Sequence, residues 1–472
     1  MADSGKSYWI RSGIQTTFER FAGLIFSFGT LLILLRIYSL EEFGIWSLFL
    51  ASTQAIEQAK NGLVQNGLIR YLATSNNEER GRIQTASLVL NVSLSLFFIL
   101  LLLILAKPLS SNLVWDAPVI FNLFMIYIAS YLILIPMSHI NFVQQGHLRF
   151  KGPMVAGLIR PGLLFILVLY LFLNGTKIPL EYLAGFQVIS IMGATLGTLY
   201  YGNRYLTFSR EVDWTWFWKL LHYGKYVFGT NLSTMLYKNI DTFMLGFLLN
   251  PVAVAMYRVC ISINNFLEAP TQSIAQVVFP QGARTAKNGT KEDIKNLYEN
   301  AVGGILALII PGAIFLLLFP KFVLFVVAGE KYLDAVPLLS LTVCYALFFP
   351  FGNQFGTILD SIGKPKINFF FILGSAILNV ILNILFIQQF GLLGAAYATL
   401  ITYGTTFVLH QITLYNMFGV KFWRPFLKIP SFYIMGFGII SNYFSNKMSP
   451  QSDILTDAAE PNESTDTNKL VK

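Results

Sequence analysis

The stretch Tyr237–Pro270, YKNIDTFMLGFLLNPVAVAMYRVCISINNFLEAP, reads as two apolar runs parted at Asn250 and Pro251. Lys238 and Asp241 lie in the first run, Arg258 and Glu268 in the second. An ionised group at the centre of a bilayer costs roughly 2.5–3.5 kcal/mol on insertion scales, so four of them in neighbouring spans predict a polar interior. Lys238 and Asp241 are three residues apart, neighbours on one helix face, and are expected to neutralise each other. Arg258 and Glu268 are about 15 Å apart along a helix, so each needs water or a partner from another span. A wet cavity between helices meets all four demands.

Composition extends this reading to the whole chain. Of 472 residues, 55% are hydrophobic and 12% charged, against about 25% charged in an ordinary soluble domain. The mean hydropathy of +0.60 leaves little room for an extramembrane domain, and the fold class expected is an all-α polytopic membrane protein. A net charge of +9 in a soluble chain would point to nucleic acid. Here the basic residues fall in alternate loops, which is an orientation signal, and no nucleic-acid partner is expected. Cys260 and Cys344 both sit in apolar runs and read as small buried hydrophobes. The N-terminus shows no small-residue cleavage site, and residues 13–37 are long enough to span, so they read as a retained first helix.

Spans are expected over 13–37, 43–68, 83–106, 118–142, 154–173 and 180–201, then two across 223–280, and over 297–319, 336–359, 367–387 and 392–415. Glu19 and Arg20 lie early in the first span; Glu57 and Lys60, three apart, share a face of the second. Residues 206–222 carry Trp214, Trp216 and Trp218 beside Arg210 and Lys219, suited to a helix at the headgroup level. The run 429–444 is short of the roughly 20 residues a span needs and reads as an interfacial or thirteenth helix. Residues 445–472 are polar and acid-leaning, as in a disordered tail.

Counting Lys and Arg boundary by boundary gives 21 on one set, Arg149, Lys151 and Arg160 among them, and 5 on the alternate set: Arg36, Lys107, Lys177, Lys321 and Lys331. The alternation stays in phase through twelve helices and predicts a cytoplasmic N-terminus. An internal repeat sharpens the picture. Ser39–Trp46 separates the first two spans and Asn250–Tyr257 the seventh and eighth, 211 positions on. Pro136 through Arg149 matches Pro350 through Lys366 at a spacing of 214. The agreement predicts two six-helix bundles, 1–205 and 223–418, related by a pseudo-two-fold axis along the membrane normal, with substrate between them.

Asn239–Gly246, Val252–Arg258 and Val278–Pro280, with Glu41–Trp46 and Gly329–Tyr332, resemble the signature of the polysaccharide and oligosaccharidyl-lipid flippases (Wzx-like) of the MOP exporter superfamily. The resemblance covers about residues 10–420. It implies a V-shaped transporter that moves undecaprenyl-pyrophosphate-linked oligosaccharide from the inner to the outer leaflet of a bacterial cytoplasmic membrane by alternating access. A polysaccharide polymerase and glycosyltransferases are the protein partners it implies. Related flippases line their cavity with basic residues on helices one, two and eight, where Arg20, Lys60 and Arg258 stand here.

A pyrophosphate needs desolvated cations, and Arg grips two of its oxygens at once. Arg258 has no carboxylate three or four residues away and is the first candidate, set against snorkelling to the nearby surface. Lys60 and Lys238 follow, set against pairing with Glu57 and Asp241; Arg20 is set against an interfacial salt bridge. Carboxylates at depth couple transport to protons or sodium, with Asp241, Glu268 and Glu57 as candidates. Asn379 and Asn383 are expected to bond between helices. His139 and His410 read as packing residues. No phosphate-cradling Gly loop, HExxH, CxxC or nucleophile elbow occurs, so no cofactor is expected and a transporter rather than an enzyme. Two alternatives stay open: a multidrug and toxin extrusion cation antiporter, and a non-transporting scaffold for glycan assembly.

Overall fold

The computed structural model describes residues 19, 22–112, 117–147 and 149–434. Arg20, the N-terminal residues 1–18 and the expected tail lie outside them.

Six helices form the N-terminal half: α1 Ala22–Ile37, α2 Leu40–Thr74, α3 Asn77–Asn112, α4 Ala117–Gly146, α5 Lys151–Leu173 and α6 Leu180–Gly202. The C-terminal half holds α7 Trp214–Leu248, α8 Pro251–Asn288, α9 Lys291–Leu318, the short α10 Pro320–Ala328, α11 Val336–Ala346, α12 Phe349–Ser361, α13 Pro365–Phe390 and α14 Leu392–Phe418. A last helix, α15, covers 424–434, beginning before the run expected at 429. The described residues contain no strand.

Among the described residues eight helical segments are long and apolar enough to cross a membrane, with α11 and α12 forming one of them. Helices α2, α7 and α8 are not among the eight, although they run 35, 35 and 38 residues. They are the helices that carry Glu57, Lys60, Lys238, Asp241, Arg258 and Glu268. Helix α7 starts at Trp214, inside the stretch expected to be a separate connector, and runs unbroken to Leu248. Its early turns pack on α2, where a Cβ on Gly224 would lie 1.9 Å from the Leu63 carbonyl oxygen; later, its Asp241 accepts from Asn383 of α13. The span expected over 336–359 is broken at Leu347 and Phe348 because Pro350, which lacks an amide hydrogen, occupies the first turn of α12.

The repeated segments Ser39–Trp46 and Asn250–Tyr257 do the same local job. Ser39 caps α2 in a reciprocal capping box with Glu42, and Asn250 Oδ1 caps α8 by accepting from the Ala253 amide at 2.9 Å. These two helix starts meet: a Cβ on Gly44 would lie 1.9 Å from the Pro251 carbonyl oxygen. Arg36 Nη2 donates to the Val326 carbonyl at 3.3 Å, and Lys331 Nζ donates to the Tyr38 carbonyl. These contacts join the halves at the face poor in basic residues.

The apolar core follows the same geometry. Towards the basic-poor face one cluster runs through both halves, from Leu34, Trp46 and Tyr127 to Val254, Ile305 and Leu339. Towards the basic-rich face it divides in two. One part holds Leu63, Leu68, Ile83, Phe142 and Leu220, the other Val278, Val302, Phe351, Phe355 and Leu414. The first of these parts includes Leu220 of α7, so the halves also touch at the basic-rich face along α2 and α7, and the cleft lies between the two parts of the core.

Gly44→Ala should therefore lower stability by about 1–3 kcal/mol through overpacking, whereas Gly185→Ala, with open space around its Cβ, should be neutral or slightly stabilising. Thermal unfolding of the purified protein in detergent checks this; equal midpoints for the two variants would contradict the tight α2–α8 contact.

Candidate functional site

Two chambers occupy the cleft. The larger, about 610 Å³, lies among α1, α2, α5, α6 and α8, and the other, about 530 Å³, among α7, α8, α12, α13 and α14. Both fall in the roughly 300–1,000 Å³ range of small-molecule sites. Gln54, Arg258 and Asn265 line both chambers and so mark their junction.

On the N-terminal side Glu57 is gripped by both guanidinium nitrogens of Arg160, at 2.9 and 3.0 Å. This corrects the expected pairing of Glu57 with Lys60 one turn away on the same helix: the planar fork of Arg160 offers two donors to the two carboxylate oxygens, which an ammonium cannot do. It also corrects the place given to Arg160, counted among the loop cations but set nine residues into α5 and lining a chamber. Lys60 is 1% exposed, has no hydrogen-bond partner among the described residues and lies 5.0 Å from the centre of the Tyr131 ring. It lines neither chamber. Tyr127 and Tyr131 donate to the carbonyls of Thr53 and Ile56, bracing the turn of α2 that presents Glu57.

On the C-terminal side the expected Lys238–Asp241 pair is replaced by two longer-range arrangements. Lys238 Nζ bonds Glu268 Oε1 across α7 and α8 at 2.9 Å, and Gln272 Nε2 donates to the same oxygen at 2.8 Å. Asp241 is buried and accepts from Asn383 Nδ2 and Thr399 Oγ1, each at 2.7 Å, and from the Tyr257 hydroxyl. Asn379 donates to Thr399 at 3.2 Å, so the two asparagines bond between helices as expected. A lysine half exposed to the cleft keeps its hydration beside Glu268, while Asp241, pointing inward, is satisfied by neutral donors that bring no second charge into the core.

Arg258 is the remainder. Among the described residues no carboxylate pairs with it, and it stands half-buried where the chambers meet. Of the other candidates, Asp241, Glu268 and Lys238 line the C-terminal chamber and Glu57 the N-terminal one. Arg20 lies outside the described residues. His410 lines the C-terminal chamber, stacked on Phe355 at 3.8 Å, and His139 is packed away from both. No group of three His, Cys, Asp or Glu suited to a metal occurs among the described residues.

Long apolar helices around a cleft lined with charged and polar side chains define a multi-pass membrane protein. The chain belongs to the polysaccharide biosynthesis protein family, whose profile matches residues 33–337. It is 24% identical over 203 residues to the probable low-salt glycan biosynthesis flippase Agl15 of Haloferax volcanii, covering 43% of each chain. It is 30% identical over 185 residues to the uncharacterized membrane protein MJ1068 of Methanocaldococcus jannaschii, covering 39% of this chain and 36% of that one. The chain thus matches less than half the length of either relative. Among solved structures it resembles the lipid II flippase MurJ in an inward closed conformation, with a TM-score of 0.72 and 15% identity over 92% of this chain and 93% of that one. An inward-facing MATE family transporter of the MOP superfamily superposes with a TM-score of 0.70 and 15% identity over 83% and 95%. These likenesses establish the fold.

Arg160→Met leaves Glu57 without its partner and should cost about 3 kcal/mol, at the low end for a buried pair because both side chains are partly exposed. Glu57→Gln combined with Arg160→Met should recover most of that loss. Thermal unfolding of the two variants measures the difference, and an unaffected single variant would show the pair to be incidental.

Proposed function

We propose that the protein is a flippase that carries a lipid-linked oligosaccharide across the cytoplasmic membrane by alternating access, with the diphosphate of a polyprenyl carrier held at Arg258. The observation that carries this reading is the unpaired guanidinium at the junction of two chambers. Among the described residues Glu57 and Glu268 are each paired with a cation and Asp241 is held by neutral donors, while Arg258 has no carboxylate partner and so offers a local cation to an anion. Membership of the polysaccharide biosynthesis family supports a glycan cargo, and the flippase name of one relative supports movement between leaflets. The lipid chain stays in the bilayer while the head group crosses the cleft. Undecaprenyl is the carrier we assign, with the basic-rich face cytoplasmic by the positive-inside bias. The polymerase and glycosyltransferases of the same assembly line are the partners this places beside it.

The alternative of cation extrusion calls for an acidic chamber. Asp241 and Glu268 are the residues that would serve, and both are matched here by Tyr257, Asn383, Thr399 and Lys238. A scaffold that moves nothing has no use for ions held at membrane depth. We assign Asp241 instead to coupling: its cluster with Asn379, Asn383 and Thr399 offers oxygen ligands for a sodium ion or a site for a proton, exchanged as the bundles rock.

In liposomes, the purified protein should move a fluorescent undecaprenyl-diphosphate disaccharide between leaflets, Arg258→Ala should slow this tenfold or more, and Arg258→Lys should fall between. Ethidium efflux with no lipid movement would transfer the protein to the cation exporters. Asp241→Asn should leave passive exchange but remove the response of the rate to a sodium or proton gradient; a full response in that variant would remove Asp241 from the coupling role.

A further inference from the structure

The C-terminal chamber contains polar chemistry that neither a diphosphate nor a coupling ion employs. Asn264 is 1% exposed, lines the chamber, and finds no hydrogen-bond partner for either its Oδ1 or its Nδ2. Thr271 Oγ1, Asn353 Oδ1 and His410 Nδ1 are also buried, unpartnered and part of the same lining. Buried polar atoms in folded proteins are normally satisfied by protein, by water or by a ligand. Four such residues around one cavity, on α8, α12 and α14, mark a lining prepared for a partner rich in hydrogen-bonding groups.

Rings complete that lining. Tyr345 and Tyr403 stack with their centres 5.5 Å apart and planes 13° from parallel; Phe349 lies 5.5 Å from Tyr403, and Phe348 lies 5.4 Å from Phe407. All five line the chamber. The break between α11 and α12 turns Phe348 and Phe349 into it. An apolar ring face next to amides that both donate and accept is complementary to a pyranose, which offers a C–H face and a rim of hydroxyls. Charge narrows the class further. The chamber's carboxylates are engaged, Asp241 as described and Asp360 by Asn368 Nδ2 at 3.1 and 3.2 Å. An acidic sugar would meet them with no cation free to receive it, since Glu268 holds Lys238 and the diphosphate takes Arg258.

We infer that the C-terminal chamber is the glycan seat, a subsite for uncharged hydroxyl-rich sugars whose diphosphate stands at Arg258. This rests on the flippase reading and adds to it which bundle receives the sugar and which sugars fit. Binding to a site built to hydrogen-bond a substrate falls sharply for an analogue lacking those groups, which makes the assignment testable by comparing lipids that differ only in the sugar.

The full-length protein in nanodiscs is titrated with undecaprenyl diphosphate and with the same lipid bearing glucose, N-acetylglucosamine or glucuronic acid. At least one neutral glycolipid should bind tenfold or more tighter than the bare lipid, and the glucuronate should gain nothing. Asn264→Leu, close in volume and without unpaired atoms, should erase the gain while keeping the affinity for bare lipid; Asn353→Leu repeats the test in case the first variant fails to fold. Equal affinities for all four lipids, or a gain surviving both substitutions, would overturn the glycan seat and leave the diphosphate site standing. A gain largest for glucuronate would overturn it too. Failure of the wild type to bind even the bare lipid would overturn the flippase reading and this inference together.

Discussion

Helices α2 and α8 begin side by side, Gly44 against the backbone of Pro251, with no space for a side chain between them. The rest of the architecture depends on that closeness. Because the helix starts touch, one apolar core passes through both halves at the basic-poor face; further along it gives way to two, one on α2, α3, α4 and the start of α7, the other on α8, α9, α12 and α14. The chambers beside these cores bring polar and charged side chains together between the helices. Charged side chains that lipid would reject are tolerated there.

Each charge is then settled by a different physical means. Glu57 takes a two-pronged guanidinium from α5, Glu268 takes an ammonium from α7 that keeps part of its hydration, and Asp241 takes only neutral donors. Lys60 sits against the face of Tyr131, a weaker arrangement that uses the negative face of the ring. Arg258 is left over at the meeting point of the chambers. A site for an anion needs such a remainder: a cation already paired would have to be freed before it could grip anything.

Much of this was legible in the sequence. The depth of the charges required a polar gap, the run of apolar segments required an all-helical membrane fold, and Ser39–Trp46 and Asn250–Tyr257 turn out to open helices whose starts meet. Partner choice was not legible. Spacing of three residues places Glu57 near Lys60 and Asp241 near Lys238, but neighbours along one helix compete with groups from facing helices, and the facing groups won at both places. Arg160 escaped notice because a cation near the start of an apolar run counts as a loop charge until the helix is seen to begin at Lys151. Asn264 and Asn353 carried no signal, since an isolated asparagine in a span is as often a helix-to-helix tie.

The undivided core at the basic-poor face also carries an energetic consequence. Rocking the bundles so that this face opens would part Trp46, Val254 and their neighbours, now mutually buried, and wet the apolar surfaces they share. Parting the halves at this face therefore exposes apolar surface to water, a cost that only a group bound more tightly by the parted form offsets.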